Sequence, residues 1–308
     1  MFKNSAKSAI LSIFATAPQL TKRPRSDKIY SVMKKFDFDA KYFDPTAVLE
    51  CGQVFRFHPF KEGYFVNSGE LACYVYGDGV KTVVESENPD YFWRYFDLDR
   101  NYADIVDRAK SFNIPLLSYS AEKSKGLRLL NQNREETIYS FIISQNNNIP
   151  RIKGIISRIC AGLGEKREFS GESYYTFPSS EKMANAGAEF YKNAGAGYRD
   201  VYLADTSARI AAEGLKNLNN CDISRLKSQL LTYKGIGPKV ADCVALFAFG
   251  NTGAFPVDTW VEKIYLEDFK GQPASREKIA KYFTDSFGEY SGYVQQYLFY
   301  AKRQNYNV

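Results

Sequence analysis

The sequence predicts an α+β protein, with a small N-terminal antiparallel β domain followed by a larger all-α domain. Three observations carry this reading. Between Lys34 and Glu87 the apolar residues fall in short β-branched and aromatic runs broken by Gly, Asn and Asp. After Asn88-Pro89 the spacing turns helical, and from about Arg134 helical periodicity dominates. The chain has 308 residues, 44% of them apolar, which suits two domains with a substantial core.

In chain order, residues 1–32 read as an accessory or disordered extension. They hold Lys3, Lys7, Lys22, Arg23, Arg25 and Lys28 against Asp27. Lys3 and Lys7 precede the mildly apolar stretch 9–17, which fits either a targeting segment or an over-extended start with Met33 as the natural first residue. Residues 33–126 are expected to form the β domain, with strands in QVFRFHPF, GYFVNSG, ACYVYGDG and KTVVES. Residues 127–308 are expected to form the helical domain. EETIYSFIISQ places Ile138, Phe141 and Ile142 on one helix face, and IPRIKGIISRICAGLG places Ile152, Ile155, Ile156 and Ile159 on another. GESYYTFPSSEKMANAG reads as loop, turn and helix. Further helices are expected over about 199–214, 222–232, 238–249, 258–268, 275–286 and 289–303.

Composition narrows the chemistry. The formal net charge is +6. Most of it lies in the N-terminal extension, so bulk charge does not establish nucleic-acid binding. The single histidine, His58, excludes His-based metal sites and most Ser/His or Cys/His catalysis. The five cysteines are widely spaced with no CxxC pair, which argues against zinc or a disulfide framework and for a reducing compartment. No apolar run approaches the roughly 20 residues that span a bilayer.

The most informative stretch is LLTYKGIGPKVADCVALFAFG, from Leu230 to Gly250. Gly235 and Gly237 sit between two helical patterns, and Pro238 suits the first position of the second helix. Taken alone, such a GxG bend fits either a plain turn between two core helices or a device whose exposed N–H groups grip one DNA phosphate without reading sequence. Lys239 lies in the first turn of that helix, where a cation opposes the helix dipole. An amine kept neutral by such surroundings is a usable nucleophile. Downstream, Asp258 in FPVDTW fits a helix N-cap and could also steady positive charge on a sugar ring.

YKGIGPKVADC followed by FPVDTW resembles the signature of helix-hairpin-helix DNA glycosylases, and a lysine at position 239 marks the bifunctional branch. LECGQVFRF, SQNNNIPRI, GAGYRDVYL and YVQQYLFYAKRQ narrow the resemblance to the 8-oxoguanine DNA glycosylase family, over roughly residues 34–304. The resemblance implies that Lys239 attacks deoxyribose C1′ and forms a Schiff base, while Asp258 stabilises the oxocarbenium-like transition state. It implies a base pocket of Gly52, whose carbonyl accepts the N7–H of oxidised guanine, Gln295 on the Watson–Crick edge, and Phe299 with Cys243 sandwiching the base. Asn146 would fill the gap left by the flipped nucleotide, Tyr198 would wedge the stack, and Arg151 with Arg199 would read the orphaned cytosine. Gly235 and Gly237 would hold the phosphate.

Spacing tolerates these placements, since Lys239 with Cys243, and Gln295 with Phe299, are i, i+4 pairs. Trp260 and Lys302 depart from the family's eukaryotic pattern, which favours histidine and an acid there; both are expected near the pocket. No cysteine follows Cys243, which excludes the iron–sulfur cluster of the family's cousins. No metal or organic cofactor is required, although the hairpin leaves room for a monovalent cation. The expected partner is double-stranded DNA containing oxidised guanine, with no membrane association and a monomeric protein. Location would be the nucleoid in a bacterium and the nucleus or mitochondrion in a eukaryote. The alternatives are a glycosylase of this fold for another damaged purine and a noncatalytic DNA-binding module.

Overall fold

The computed structural model describes residues 34–304. The proposed N-terminal extension and the alternative start at Met33 lie outside the described residues. The strands are β1 (Lys34–Asp39), β2 (Phe57–Phe60), β3 (Gly63–Ser68), β4 (Leu71–Gly77) and β5 (Lys81–Ser86), in the antiparallel order β1-β5-β4-β3-β2. Period-2 alternation sends Val66, Cys73, Val75 and Val84 to one face, where they meet Phe92, Trp93 and Tyr95 of helix α2 (Pro89–Tyr95). Phe65, Ala72 and Tyr74 point to the opposite face.

That second face is covered by an element the sequence reading lacks. Lys166–Phe169 (β6) and Glu172–Tyr175 (β7) form a hairpin, so the segment read as loop from Gly171 is in part a strand. Phe169 packs on Phe65 at 5.8 Å between ring centres, and Tyr174 does so at 5.7 Å. This hairpin takes its stability from the sheet beneath it.

Helices make up most of the remainder: α1 (Pro45–Glu50), α3 (Tyr102–Ser111), α4 (Pro115–Lys123), α5 (Arg134–Ser144), α6 (Ile149–Leu163), α7 (Ser180–Asn193), α8 (Asp200–Glu213), α9 (Ile223–Leu230), α10 (Pro238–Phe247), α11 (Thr259–Lys263), α12 (Arg276–Phe287) and α13 (Ser291–Arg303). The expected spans agree within the usual uncertainty of helix ends, and α11 runs on through a wider turn at Ile264–Asp268. α10 is buried at every position from Val240 to Phe247, which makes it the central helix.

Packing does not divide at residue 126. Tyr102, Ile105 and Val106 of α3 and Leu117 and Ala121 of α4 belong to the large helical core, whereas Leu130 belongs to the sheet core. The two units are pinned together by a buried ion pair, Arg56 to Glu136 at 3.0 Å. No helix among the described residues is long and apolar enough to cross a membrane.

Candidate active site

The hairpin is built by backbone demands. Gly235 has φ +83°, and a Cβ there would come within 2.5 Å of the Tyr202 ring, so only glycine fits. Ile236 plunges into the core. Gly237 caps α10 in an extended conformation, and a Cβ there would meet nothing within 4 Å. The turn is thus fixed from inside at Gly235 and open at Gly237, where α10 begins with N–H groups that have no intrahelical partner. Gln145 ties it to the end of α5, donating from Nε2 to the Gly235 carbonyl at 2.8 Å and the Ile142 carbonyl at 3.1 Å.

Lys239, half-buried in the first turn of α10, has its Nζ 5.5 Å from the centre of the Phe141 ring. Phe141 is held by stacking on Phe247 and an edge contact with Phe55. One turn further, Cys243 is 3% exposed. Burial pushes its thiol up to about 11, against the opposing influence of the neighbouring Lys239. The thiol is therefore a protonated, apolar wall. Asp258 caps α11: Oδ1 accepts from the Trp260 N–H at 2.9 Å and the Val261 N–H at 3.0 Å. Both bonds fall on one oxygen, which leaves Oδ2 for another partner.

Lys239, Asp258 and Cys243 line one cleft of about 1100 Å³ together with Gly52, Gln295 and Phe299, residues drawn from four distant segments of the chain. Gly52 has φ +88° and sits in a loop secured by its neighbour. The Gln53 side chain donates to the carbonyls of Val48 and Arg128 at 2.9 and 2.8 Å and accepts from the Leu130 N–H at 2.9 Å. Gln295, 4% exposed, accepts from Gln296 Nε2 at 2.7 Å, which orients its amide.

The remaining predicted residues form the rim. Asn146 is exposed at φ +44° and donates to the Tyr198 hydroxyl at 3.3 Å. Tyr198 is 51% exposed, and the exposed Arg151 donates to the Gly195 carbonyl at 3.3 Å.

Arg199 is more engaged than the resemblance implies, and the expected place of Lys302 needs correction. Arg199 is 2% exposed, and its guanidinium is engaged with the carbonyls of Gln145, Asn146 and Ala196. In this conformation it braces the rim, and reading an orphaned base directly requires giving up part of that set. Lys302 is not at the pocket, because Glu267 and Asp268 hold it at 3.1 and 2.9 Å outside the cleft lining. Trp260 does line the cleft and is 41% exposed.

The cleft also contains groups that the sequence reading did not assign to the site. Phe141 was visible only as a helix-face residue. Lys227 of α9 holds the buried Asp242 of α10 at 2.6 Å, locking the two hairpin helices together. Nothing in the local sequence signals either pairing, nor the presence of Arg303.

Residues 35–138 match the family described as "8-oxoguanine DNA glycosylase, N-terminal domain". A "Probable N-glycosylase/DNA lyase" of Methanothermobacter thermautotrophicus is 31% identical over 231 residues, covering 68% of this chain and 72% of that protein. The "N-glycosylase/DNA lyase OGG1" of Arabidopsis thaliana is 32% identical over 201 residues, 61% of this chain but only 55% of the plant protein. The Clostridium acetobutylicum 8-oxoguanine glycosylase/lyase, solved with double-stranded DNA containing cytosine opposite 8-oxoG, superposes with a TM-score of 0.82 at 33% identity; the match covers 89% of this chain and 98% of that one. A hairpin, an amine and a capping aspartate around one cleft, on a fold shared nearly end to end with that enzyme, place this chain in the 8-oxoguanine DNA glycosylase/lyase family.

Proposed function

We propose that this chain excises 8-oxoguanine from duplex DNA, opposite cytosine and as a single copy, and then nicks the strand through a Schiff base on Lys239. The observation that carries the proposal is the placement of the Lys239 amine: half-buried beside the hairpin, in the cleft that also contains the Asp258 carboxylate and a base-sized set of walls.

Gly235 and Gly237 let a phosphate approach the N–H groups of α10, and binding weakens as salt rises. The damaged nucleotide leaves the stack at a cost of a few kcal/mol. Asn146 and Tyr198 fill the space behind it, and Arg151 at the rim reads the cytosine. Within the cleft, Cys243 and Phe299 flank the base, Gln295 meets its Watson–Crick edge, and the Gly52 carbonyl accepts N7–H. Guanine offers a bare N7 lone pair instead, a mismatch of roughly 1–3 kcal/mol.

The Lys239 amine attacks C1′ through its nitrogen lone pair. The C1′–N9 bond breaks, its electron pair leaves with the base, and the amine's lost proton neutralises the departing ring. Asp258 Oδ2 offsets positive charge on the sugar during this step. Opening of the ring gives the imine, with the former ring oxygen protonated. Loss of a C2′ proton then expels the 3′ phosphate, and water releases the unsaturated aldehyde and restores Lys239.

Borohydride trapping tests the scheme. Wild-type protein is expected to leave a covalent adduct with 8-oxoguanine duplex, and Lys239→Gln none, with duplex affinity retained. An adduct surviving in the variant would refute the nucleophile, and its absence in wild type would leave a noncatalytic binding module. Equal excision opposite A, C, G and T would refute the role of Arg151.

A further inference from the structure

Five cationic side chains line the cleft: Lys227, Lys239, Arg276, Lys281 and Arg303. Three are matched by carboxylates, Lys227 by Asp242 at 2.6 Å, Arg276 by Glu262 at 3.3 Å and Lys281 by Asp285 at 3.0 Å. Among the described residues, Lys239 and Arg303 have no such partner. Lys239 has a role in the proposed reaction; Arg303 has none so far.

Arg303 stands at the base-recognition end. It lies one turn beyond Phe299 and two beyond Gln295 on α13, so the three share a helix face. Its guanidinium lies over the Phe299 ring, 5.5 Å from the centre. Its Nη1 donates to the Glu50 carbonyl at 3.3 Å and sits 3.3 Å from where a Cβ on Gly52 would project. One carbonyl cannot saturate a guanidinium with five N–H donors. A half-buried cation with spare donors, beside the Gly52 loop and against the ring that stacks the base, is set to meet an electronegative atom of the bound base.

Oxidation of guanine changes two adjacent positions: N7 gains a hydrogen and C8 gains an oxygen. On the proposed reading, on which this inference rests, Gly52 takes N7–H and Gln295 takes the Watson–Crick edge. Of the two positions that oxidation changes, the oxygen on C8 is then the one left unmatched, and it neighbours the one Gly52 holds. We propose that Arg303 donates a charge-assisted hydrogen bond to that oxygen and is a second specificity-determining residue. Guanine carries only a C–H there, so the contact would favour the lesion alone.

The test compares single-turnover excision of 8-oxoguanine with that of 8-thioguanine, which keeps N7–H but presents sulfur, a weak acceptor, at C8. Wild-type protein is expected to prefer the oxo base by roughly 10-fold or more. In R303L, excision of the oxo base should fall roughly 10- to 100-fold and the preference should approach one, with strand cleavage at a preformed abasic site unchanged. That last readout reports an intact fold and nucleophile. Equal slowing on both bases would show that Arg303 merely braces the Gly52 loop, and loss of abasic-site cleavage would make it a DNA or fold contact; either overturns the assignment. Wild-type protein that leaves 8-oxoguanine untouched would sink the proposed function, and this assignment with it.

Discussion

The Arg199 guanidinium donates to the Asn146 carbonyl at 3.1 Å, joining the turn after α7 to the turn after α5. It also bonds the Gln145 carbonyl, and Gln145 in turn reaches Gly235 with its side chain. A chain of contacts therefore runs from the exposed rim, through a buried arginine, to the hairpin. Asn146 is held at φ +44°, a conformation that asparagine adopts more readily than most residues, and Arg199 braces its carbonyl from below.

Arg199→Met should accordingly act on stability before it acts on recognition. It removes the side-chain bonds to the half-buried Gln145 carbonyl and to those of Asn146 and Ala196, the last of which keeps the Arg199 N–H at 3.4 Å, at a cost of about 1–3 kcal/mol. Thermal unfolding measures this directly. A melting temperature within a degree of wild type would show that the guanidinium is not needed to hold the rim.

Asp258 combines two roles that substitution can separate. Asparagine caps helices about as well as aspartate, so Asp258→Asn should keep both backbone bonds and shift stability by less than about 0.5 kcal/mol. It removes the charge, however, and excision should fall by roughly 100-fold or more. Alanine should lose activity and also about 1 kcal/mol of stability. A single-turnover assay beside a melting curve distinguishes these, and an active asparagine variant would confine Asp258 to capping.

The two hairpin glycines should respond oppositely to alanine. At Gly235 the new methyl collides with the Tyr202 ring in a backbone conformation that disfavours side chains, so Gly235→Ala should destabilise the fold by roughly 2–4 kcal/mol. At Gly237 the backbone is extended and the space is open, so Gly237→Ala should melt like wild type. Its methyl would instead stand where a phosphate approaches. Duplex affinity should fall roughly 10-fold, with a shallower salt dependence. Unchanged affinity would place the DNA elsewhere.

The features legible in the sequence were those imposed by local backbone chemistry. Gly235 and Pro238 announce a hairpin because few other residues adopt that path, and Asp258 announces a cap because its partners lie two and three residues away. The β6–β7 hairpin was missed because its strands are mostly polar, and the contacts that hold it lie about a hundred residues away on the sheet. The same reason hid the burial of Arg199 and the outward pairing of Lys302. Both depend on which carbonyls or carboxylates a distant segment brings alongside, and a cation in a sequence looks the same whether it faces solvent, DNA or backbone.

The cysteines give a chemical check on the cleft that requires no substrate. Cys51, Cys73, Cys160 and Cys243 are buried, and burial raises the thiols of Cys51, Cys160 and Cys243 to about 11 and that of Cys73 well above its ordinary value. The thiolate is the species that alkylates. For a thiol at about 11, its fraction is roughly a thousandth at pH 8 and grows tenfold with each pH unit up to the pKa. Cys221 alone is half-exposed. Iodoacetamide at pH 8 should therefore modify Cys221 first, with Cys243 lagging and accelerating about tenfold per unit between pH 8 and 10. A duplex carrying a tetrahydrofuran abasic analogue, which has no C1′ aldehyde to form an imine and so is not cleaved, should slow Cys243 further and leave Cys221 unaffected. Peptide mapping by mass spectrometry reads both sites in one experiment. Early labelling of Cys243 at pH 8 would mean that the wall beside Lys239 is wet and charged, an environment unsuited to gripping a flat base.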